Sequence, residues 1–167
     1  MATGGTAAAR ATATARRAAH RAFGLLPPRV RRAVVGVVTP SFTVGALAVV
    51  HDGPRILFVT QAHRSGFALP GGLLGRREAA RAALLRELRE EIGWTDPTGV
   101  APSPDTAHID PLRRRVDLVW LLPRPAGSVT VQHGPDVLEH RWCTADDPGL
   151  TPQTREILAG VADRLPG

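Results

Sequence analysis

The 167 residues contain no lysine, no tyrosine and a single cysteine. The lone Cys143 excludes an internal disulfide and any cysteine-rich zinc site, and it points to a reducing, cytoplasmic setting. Aromatic residues are scarce, four Phe and three Trp, so aliphatic side chains must fill most of a core. A hydrophobic content of 43% is enough for one domain with an appendage. Acidic residues are absent from positions 1–51, which hold seven arginines, whereas positions 52–167 hold fourteen arginines against fifteen acids, a net of −1. The overall charge of +6 therefore belongs to the N-terminal arm, and a chain-wide isoelectric point is no argument for a nucleic-acid-binding body. Arginine as the only strong base, beside abundant alanine, glycine and proline, reads as the imprint of a GC-rich coding sequence. The same bias accounts for the likeness of the acid-free start to an organelle transit peptide.

Two regions follow from this composition: a basic arm over residues 1–40 and a folded domain over 41–167. Residues 1–19 offer almost nothing to bury, which favours an unstructured tail. Residues 18–38 suit short helical pieces around the break at Pro27–Pro28. The uncharged run Ala33 to Val50, preceded by arginines, has the outline of a membrane anchor, but Thr39-Pro40-Ser41 interrupts it. A β-branched strand from Phe42 to Val50 explains its second half better.

Asp52-Gly53 signals a turn, with a return strand over Arg55–Thr60. A short extended piece at Phe67–Leu69 ends in Pro70-Gly71-Gly72, and a long helix is predicted over Arg77–Glu91. Strands follow at Arg115–Leu122 and Val137–Trp142. A closing helix spans Thr151–Leu165, with Thr151 as N-cap and Pro152 at its first position. Strands and helices in this order give an α/β (or α+β) fold, a mixed β-sheet between helices.

The chemistry sits on the long helix. At about 100° per residue, Glu87, Glu90 and Glu91 share one sector with the small Ala80 and Ala83. Leu84, Leu85, Leu88 and Ile92 occupy the adjoining sector and can anchor the helix on a sheet. Carboxylates at these spacings repel by a few tenths of a kcal/mol per pair, roughly, and a bound cation reverses the sign. Hard oxygen donors with room for water suit Mg²⁺ or Mn²⁺. A solvated helix face is the plain alternative for three glutamates taken alone.

Their surroundings change that balance. Gly72, Glu78, Arg86-Glu87-Leu88, Glu90-Glu91 and Gly93-Trp94 resemble, in identity and spacing, the Nudix box of the Nudix hydrolase family. Phe67-Ala68-Leu69-Pro70-Gly71-Gly72 is similar to that family's lead-in strand and turn; Trp94 replaces the usual bulky aliphatic residue. The resemblance extends over residues 41–165. It implies an α/β/α sandwich in which Gly72, through its carbonyl, and Glu87, Glu90 and Glu91 bind Mg²⁺ or Mn²⁺. It also implies that Glu87 is a candidate general base, that Arg86 orients a carboxylate, and that Glu78 ties the loop to the helix. Catalysis would thus rest on Glu87, Arg86 and Glu90.

Residues outside the box are less specific. Asp136 and Glu139 are candidates for an additional acid near the substrate, with a plain turn residue as the alternative for Asp136. Arg64 is a candidate phosphate contact or a solvated loop arginine. Trp142 reads as packing, Asp117 as a pocket residue or an edge-strand charge, and Arg113-Arg114-Arg115 as a hairpin turn or a substrate-facing patch. His51, His63, His108, His133 and His140 show no ligand spacing and default to surface or loop positions.

The expected activity is pyrophosphohydrolysis of a nucleoside-diphosphate derivative, a nucleoside triphosphate or an ADP-ribose-like compound. Nucleotide sugars, dinucleoside polyphosphates and capped RNA ends remain open. The alternative is a nucleotide-sensing module without turnover, or one whose arm contacts RNA or an anionic membrane. Monomer and homodimer are equally compatible with the sequence.

Overall fold

The computed structural model describes residues 5–39, 41–62, 65–131 and 137–166. Contacts divide the chain into two compact units, Met1–Ser41 and Phe42–Gly167.

The first unit carries helices α1 (Gly5–Leu25) and α2 (Pro28–Val38). A helix from Gly5 departs from the unstructured tail that composition favours. Alanine is the strongest helix former and no proline occurs before Pro27, so local propensity accounts for the difference. Pro27–Pro28 separates the two helices, and Pro28 opens α2 at the position where a missing N–H costs nothing. Among the described residues no helix is long and apolar enough to cross a membrane. The uncharged run from Ala33 to Val50 is divided between α2 and the first strand.

The second unit is a six-stranded mixed sheet flanked by two helices. Its elements are β1 (Thr43–Asp52), β2 (Arg55–Gln61), β3 (Gly71–Leu73), α3 (Ala80–Ile92), β4 (Thr106–Asp110), β5 (Arg115–Pro123), β6 (Val137–Cys143) and α4 (Pro152–Ala159). The order is β4-β5-β1-β2-β6, with β3 on β1. β1 and β5 run parallel and the other pairings are antiparallel. The β1–β2 hairpin turns at Gly53, whose φ of 57° favours glycine, and an Arg55–Asp52 ion pair of 2.7 Å closes it.

Beyond the turn the two strands part, and the segment that leads to α3 fills the gap. Ala68 bridges Val59, the Pro70 carbonyl accepts the Ala48 N–H at 2.9 Å, and Gly71–Leu73 pairs with Gly45–Leu47. This wedge brings the Gly71-Gly72 backbone to the middle of the sheet. Only glycine fits at 71: φ is 128°, and a Cβ would lie 2.2 Å from the Ala46 carbonyl oxygen.

Alternation along β1 sends Ala46, Ala48 and Val50 to one face and Leu47 and Val49 to the other. On the first face Ala83, Leu84, Leu88 and Ile92 of α3 are buried against β1, β2 and Trp120 of β5. Each large aliphatic side chain there contributes about 1.5–3 kcal/mol of burial. On the second face Ile157 and Leu158 of α4 cover Phe58, Phe67 and Val119. Thr151 caps α4, accepting the Thr154 N–H at 3.2 Å.

α3 begins at Ala80, three residues later than the periodicity predicts. Arg77 takes a positive φ of 61°, and the Glu78 carboxylate accepts the Gly75 N–H at 2.7 Å, so this stretch forms a turn. At the other end Gly93 adopts φ 67° and its N–H bonds to the Arg89 carbonyl at 3.2 Å, a left-handed glycine stop.

Candidate active site

Arg86 is the hub of the α3 cluster. Its Nε and Nη2 donate to the two oxygens of Glu78 at 3.0 and 3.1 Å, and Nη2 also reaches the Leu73 carbonyl at 3.2 Å. Its Nη1 donates to Glu87 Oε1 at 2.8 Å and to Glu90 Oε2 at 3.3 Å. One guanidinium thus ties the turn before α3 to two carboxylates on the helix. The Arg86 side chain, ahead of the Gly75 N–H, holds the Glu78 carboxyl below its ordinary value; Glu78 and then Glu87 raise the Arg86 value in return. Glu78 anchors the loop to the helix, as the resemblance implies.

Gly72 makes room for the central carboxylate. A Cβ at that position would lie 2.3 Å from Glu87 Oε1, so the missing side chain leaves Glu87 against the loop backbone. Glu90 stands toward solvent, with 57% of its side chain exposed. Glu91 has the opposite environment. It is 4% exposed and accepts the Gly71 N–H at 2.7 Å and the side-chain amide of Gln61. Helical spacing alone places the three glutamates in one sector. The helix's contact with the sheet separates Glu91 from Glu87 and Glu90, because Glu91 lies nearest the Leu84 and Leu88 side.

Among the described residues no three His, Cys, Asp or Glu side chains are grouped as a ready metal cage. The donor chemistry nevertheless fits a hard divalent cation. Glu87 and Glu90 approach the same nitrogen, and Glu87 lies directly against the side-chain-free Gly72 backbone.

Of the remaining predicted residues, Arg64 and Asp136 lie outside the described residues, as do His63 and His133. Glu139 is exposed on β6 and pairs with Arg141 at 3.6 Å, away from α3. Asp117 proves to be neither a pocket residue nor an edge charge. β5 is internal to the sheet, and Asp117 is fully buried, bonded to Arg115 Nε at 2.7 Å and Gln153 Nε2 at 2.6 Å. Arg113 and Arg114 form the β4–β5 turn, where Arg113 pairs with Asp110. His51 is buried at the end of β1, a correction to its expected surface position, because β5 and the backbone N–H of Arg124 cover that end. Trp142 packs against the α3-side core.

The comparisons with known proteins agree with the fold. A family profile described as the NUDIX domain matches residues 41–165. The chain belongs to the Nudix family. Solved structures similar to it include three from bacteria. A nudix hydrolase family member from Chromobacterium violaceum has 23% identity and a TM-score of 0.59, over 75% of this chain and 80% of that one. A MutT NUDIX hydrolase from Burkholderia pseudomallei has 27% identity and a TM-score of 0.55, over 71% and 97%. A bifunctional NMN adenylyltransferase/ADP ribose pyrophosphatase from Francisella tularensis, complexed with AMP and manganese, has 18% identity and a TM-score of 0.62, over 80% of this chain and 45% of that one. No curated protein sequence matches.

As a Nudix hydrolase the protein is a pyrophosphohydrolase by class, and enzymes of this family generally use divalent metals and nucleotide-type substrates. The surroundings of α3 also contain groups that the sequence did not single out. Gln61 orients Glu91, and its only sequence signal is an amide at the end of the apolar run Ile56–Val59. Beyond the last turn of α3, a cavity of about 580 Å³ is lined by Gly93, Trp94, Asp96, Arg124, Ser128 and Thr130 among others. The Arg124 guanidinium lies 4.9 Å from the Trp94 ring centroid, over Gly99, where a Cβ would come within 1.7 Å of it.

Proposed function

We propose that this Nudix domain hydrolyses the diphosphate linkage of a nucleoside triphosphate or ADP-ribose-like compound, with Mg²⁺ or Mn²⁺ held by Gly72, Glu87, Glu90 and Glu91. The observation that carries this reading is the sharing of Arg86 between Glu87 and Glu90 directly beside Gly72. A bound cation neutralises the diphosphate and lowers the pKa of an attacking water.

The chain's own groups do the rest. Glu87 accepts the proton of the water whose oxygen attacks phosphorus; the P–O–P bridge breaks, and two phosphorylated products leave. Arg86 holds Glu87 in place through a charge-assisted bond, and Glu78 fixes Arg86 from the loop side. Glu91, buried and bonded to Gly71 and Gln61, keeps the loop backbone in register with the helix. The cavity past Gly93 has the size of a small-molecule site and gives the nucleoside end a place beside Arg124 and Asp96.

The test is a panel of nucleoside-diphosphate compounds with Mg²⁺ or Mn²⁺, run on the wild type and on Glu87→Gln and Glu90→Gln. Metal-dependent cleavage that both variants lose supports the assignment. A change in KM when only the nucleoside is varied supports the cavity's role. Nucleotide binding without turnover by the wild type would overturn the reading in favour of a sensor.

A further inference from the structure

The surface of the arm is unusual. Among the described residues, five of the nine exposed large apolar side chains belong to it: Leu25, Val30, Val34, Val35 and Val37, the last 87% exposed. On α2, at about 100° per residue, Val30, Val34 and Val37 fall within a sector of about 60°. Arg29 and Arg31 lie about 100° to either side of that stripe. Arg31, Arg32 and Val35 line a crease together with Phe23 of α1, on the side of α2 away from the stripe. The whole of residues 1–51 carries seven arginines and no acid.

We propose that α2 binds the surface of an anionic lipid bilayer, its valine stripe entering the boundary between headgroups and acyl chains and its flanking arginines meeting lipid phosphates. The helix is too short and too charged to span a membrane, and a helix lying in the interface needs only an apolar face bordered by cations. Arginine stems can lie along the apolar boundary while their guanidinium groups stay with the phosphates.

Two other occupants fit less well. RNA would answer the charge, but it leaves the exposed valines without a role, and the described arm offers only His20 and the half-buried Phe23 as rings for base stacking. A second copy of the chain would cover the valines but would bring acid-free arginine clusters together without a counter-charge.

The experiment uses the full chain in a vesicle co-sedimentation assay, with phosphatidylcholine vesicles and with vesicles that also contain phosphatidylserine. We expect retention on the anionic vesicles only, falling as salt rises. Replacing Val30, Val34 and Val37 together by Ser lowers retention with all arginines intact. Each of Arg29→Ala and Arg31→Ala lowers the partition constant about five-fold, corresponding to ~1 kcal/mol per arginine. Because the triple variant could lose helix content, Val37→Trp provides a second reading. The fluorescence of the new indole shifts to the blue on anionic vesicles and is quenched by brominated lipid.

No retention on anionic vesicles at low salt overturns the proposal. So does retention unaffected by the valine changes, or an unshifted indole. Binding to a single-stranded RNA oligonucleotide that displaces the vesicles and ignores the valine changes would assign the arm to nucleic acid instead.

Discussion

On the α3 face of the sheet Arg86 spreads its guanidinium over Glu78, Glu87 and Glu90, whereas on the α4 face Arg115 is matched to the single carboxylate of Asp117. The second cluster is closed. Asp117 is sealed from solvent, Gln153 takes its other oxygen, and Gly45 on the neighbouring strand leaves the space it fills; a Cβ there would lie 2.3 Å from Asp117 Oδ1. The first cluster is open: it holds more negative than positive charge and ends in the exposed Glu90. A balanced, buried pair serves the fold, and removing one partner strands a charge. An unbalanced, accessible group of carboxylates is the one able to take on a cation.

The contrast can be tested directly. The largest effect belongs to the open cluster: Glu87→Gln lowers kcat by about 10²–10⁴, while the melting temperature stays near that of the wild type. Equal losses of rate and stability would mean that Glu87 is structural, like Asp117. Next comes the closed cluster, where Asp117→Ala costs about 3–5 kcal/mol by leaving Arg115 unpaired. Calorimetry should show a drop in Tm on the order of 10 °C, and an unchanged Tm would contradict the burial argument.

A smaller effect follows from Arg86→Lys, which keeps the charge but loses the fork that grips Glu78 and Glu87 at once. A reduction of about 10–100-fold in metal affinity or activity is expected, read from the metal-concentration dependence of turnover.

The smallest effect is in acid. The Gly149 N–H first, then Cys143 and Arg141, keep the Asp147 carboxyl below its ordinary value. A group whose pKa is lowered by folding stabilises fully above its unfolded pKa, about 4 for Asp, and that contribution is lost as pH falls through the lowered folded value. Asp147→Asn should therefore flatten the acid limb of a stability–pH curve and leave its neutral region nearly parallel to the wild type.

Much of this architecture was legible in the sequence because the signals were local. β1, β2 and β5 are β-branched or apolar runs, β6 is framed by Val137-Leu138 and Trp142, and α4 opens with Thr151 and Pro152 as expected. β3 was not legible: Gly71 and Gly72 have no strand propensity, and they pair because a side chain at 71 would strike Ala46 and one at 72 would strike Glu87. β4 alternates exposed and half-buried residues at the sheet edge, a pattern close to that of a loop. At the site, the common sector of Glu87 and Glu90 follows from helical spacing, whereas Arg86 and Glu78 were singled out only by the resemblance to the Nudix box. The separate fate of Glu91 was not legible, since it depends on how α3 rolls against the sheet and on Gln61, distant in sequence.

The wedge between β1 and β2 also bears on how this scaffold could be retargeted. An extra residue between Ala68 and Leu73 would turn every following side chain to the opposite face and pull Gly71 away from Ala46. Engineering new selectivity should therefore leave that segment untouched. Variation belongs at Thr95, Asp96 and 128–130, which line the cavity and lie outside the strands.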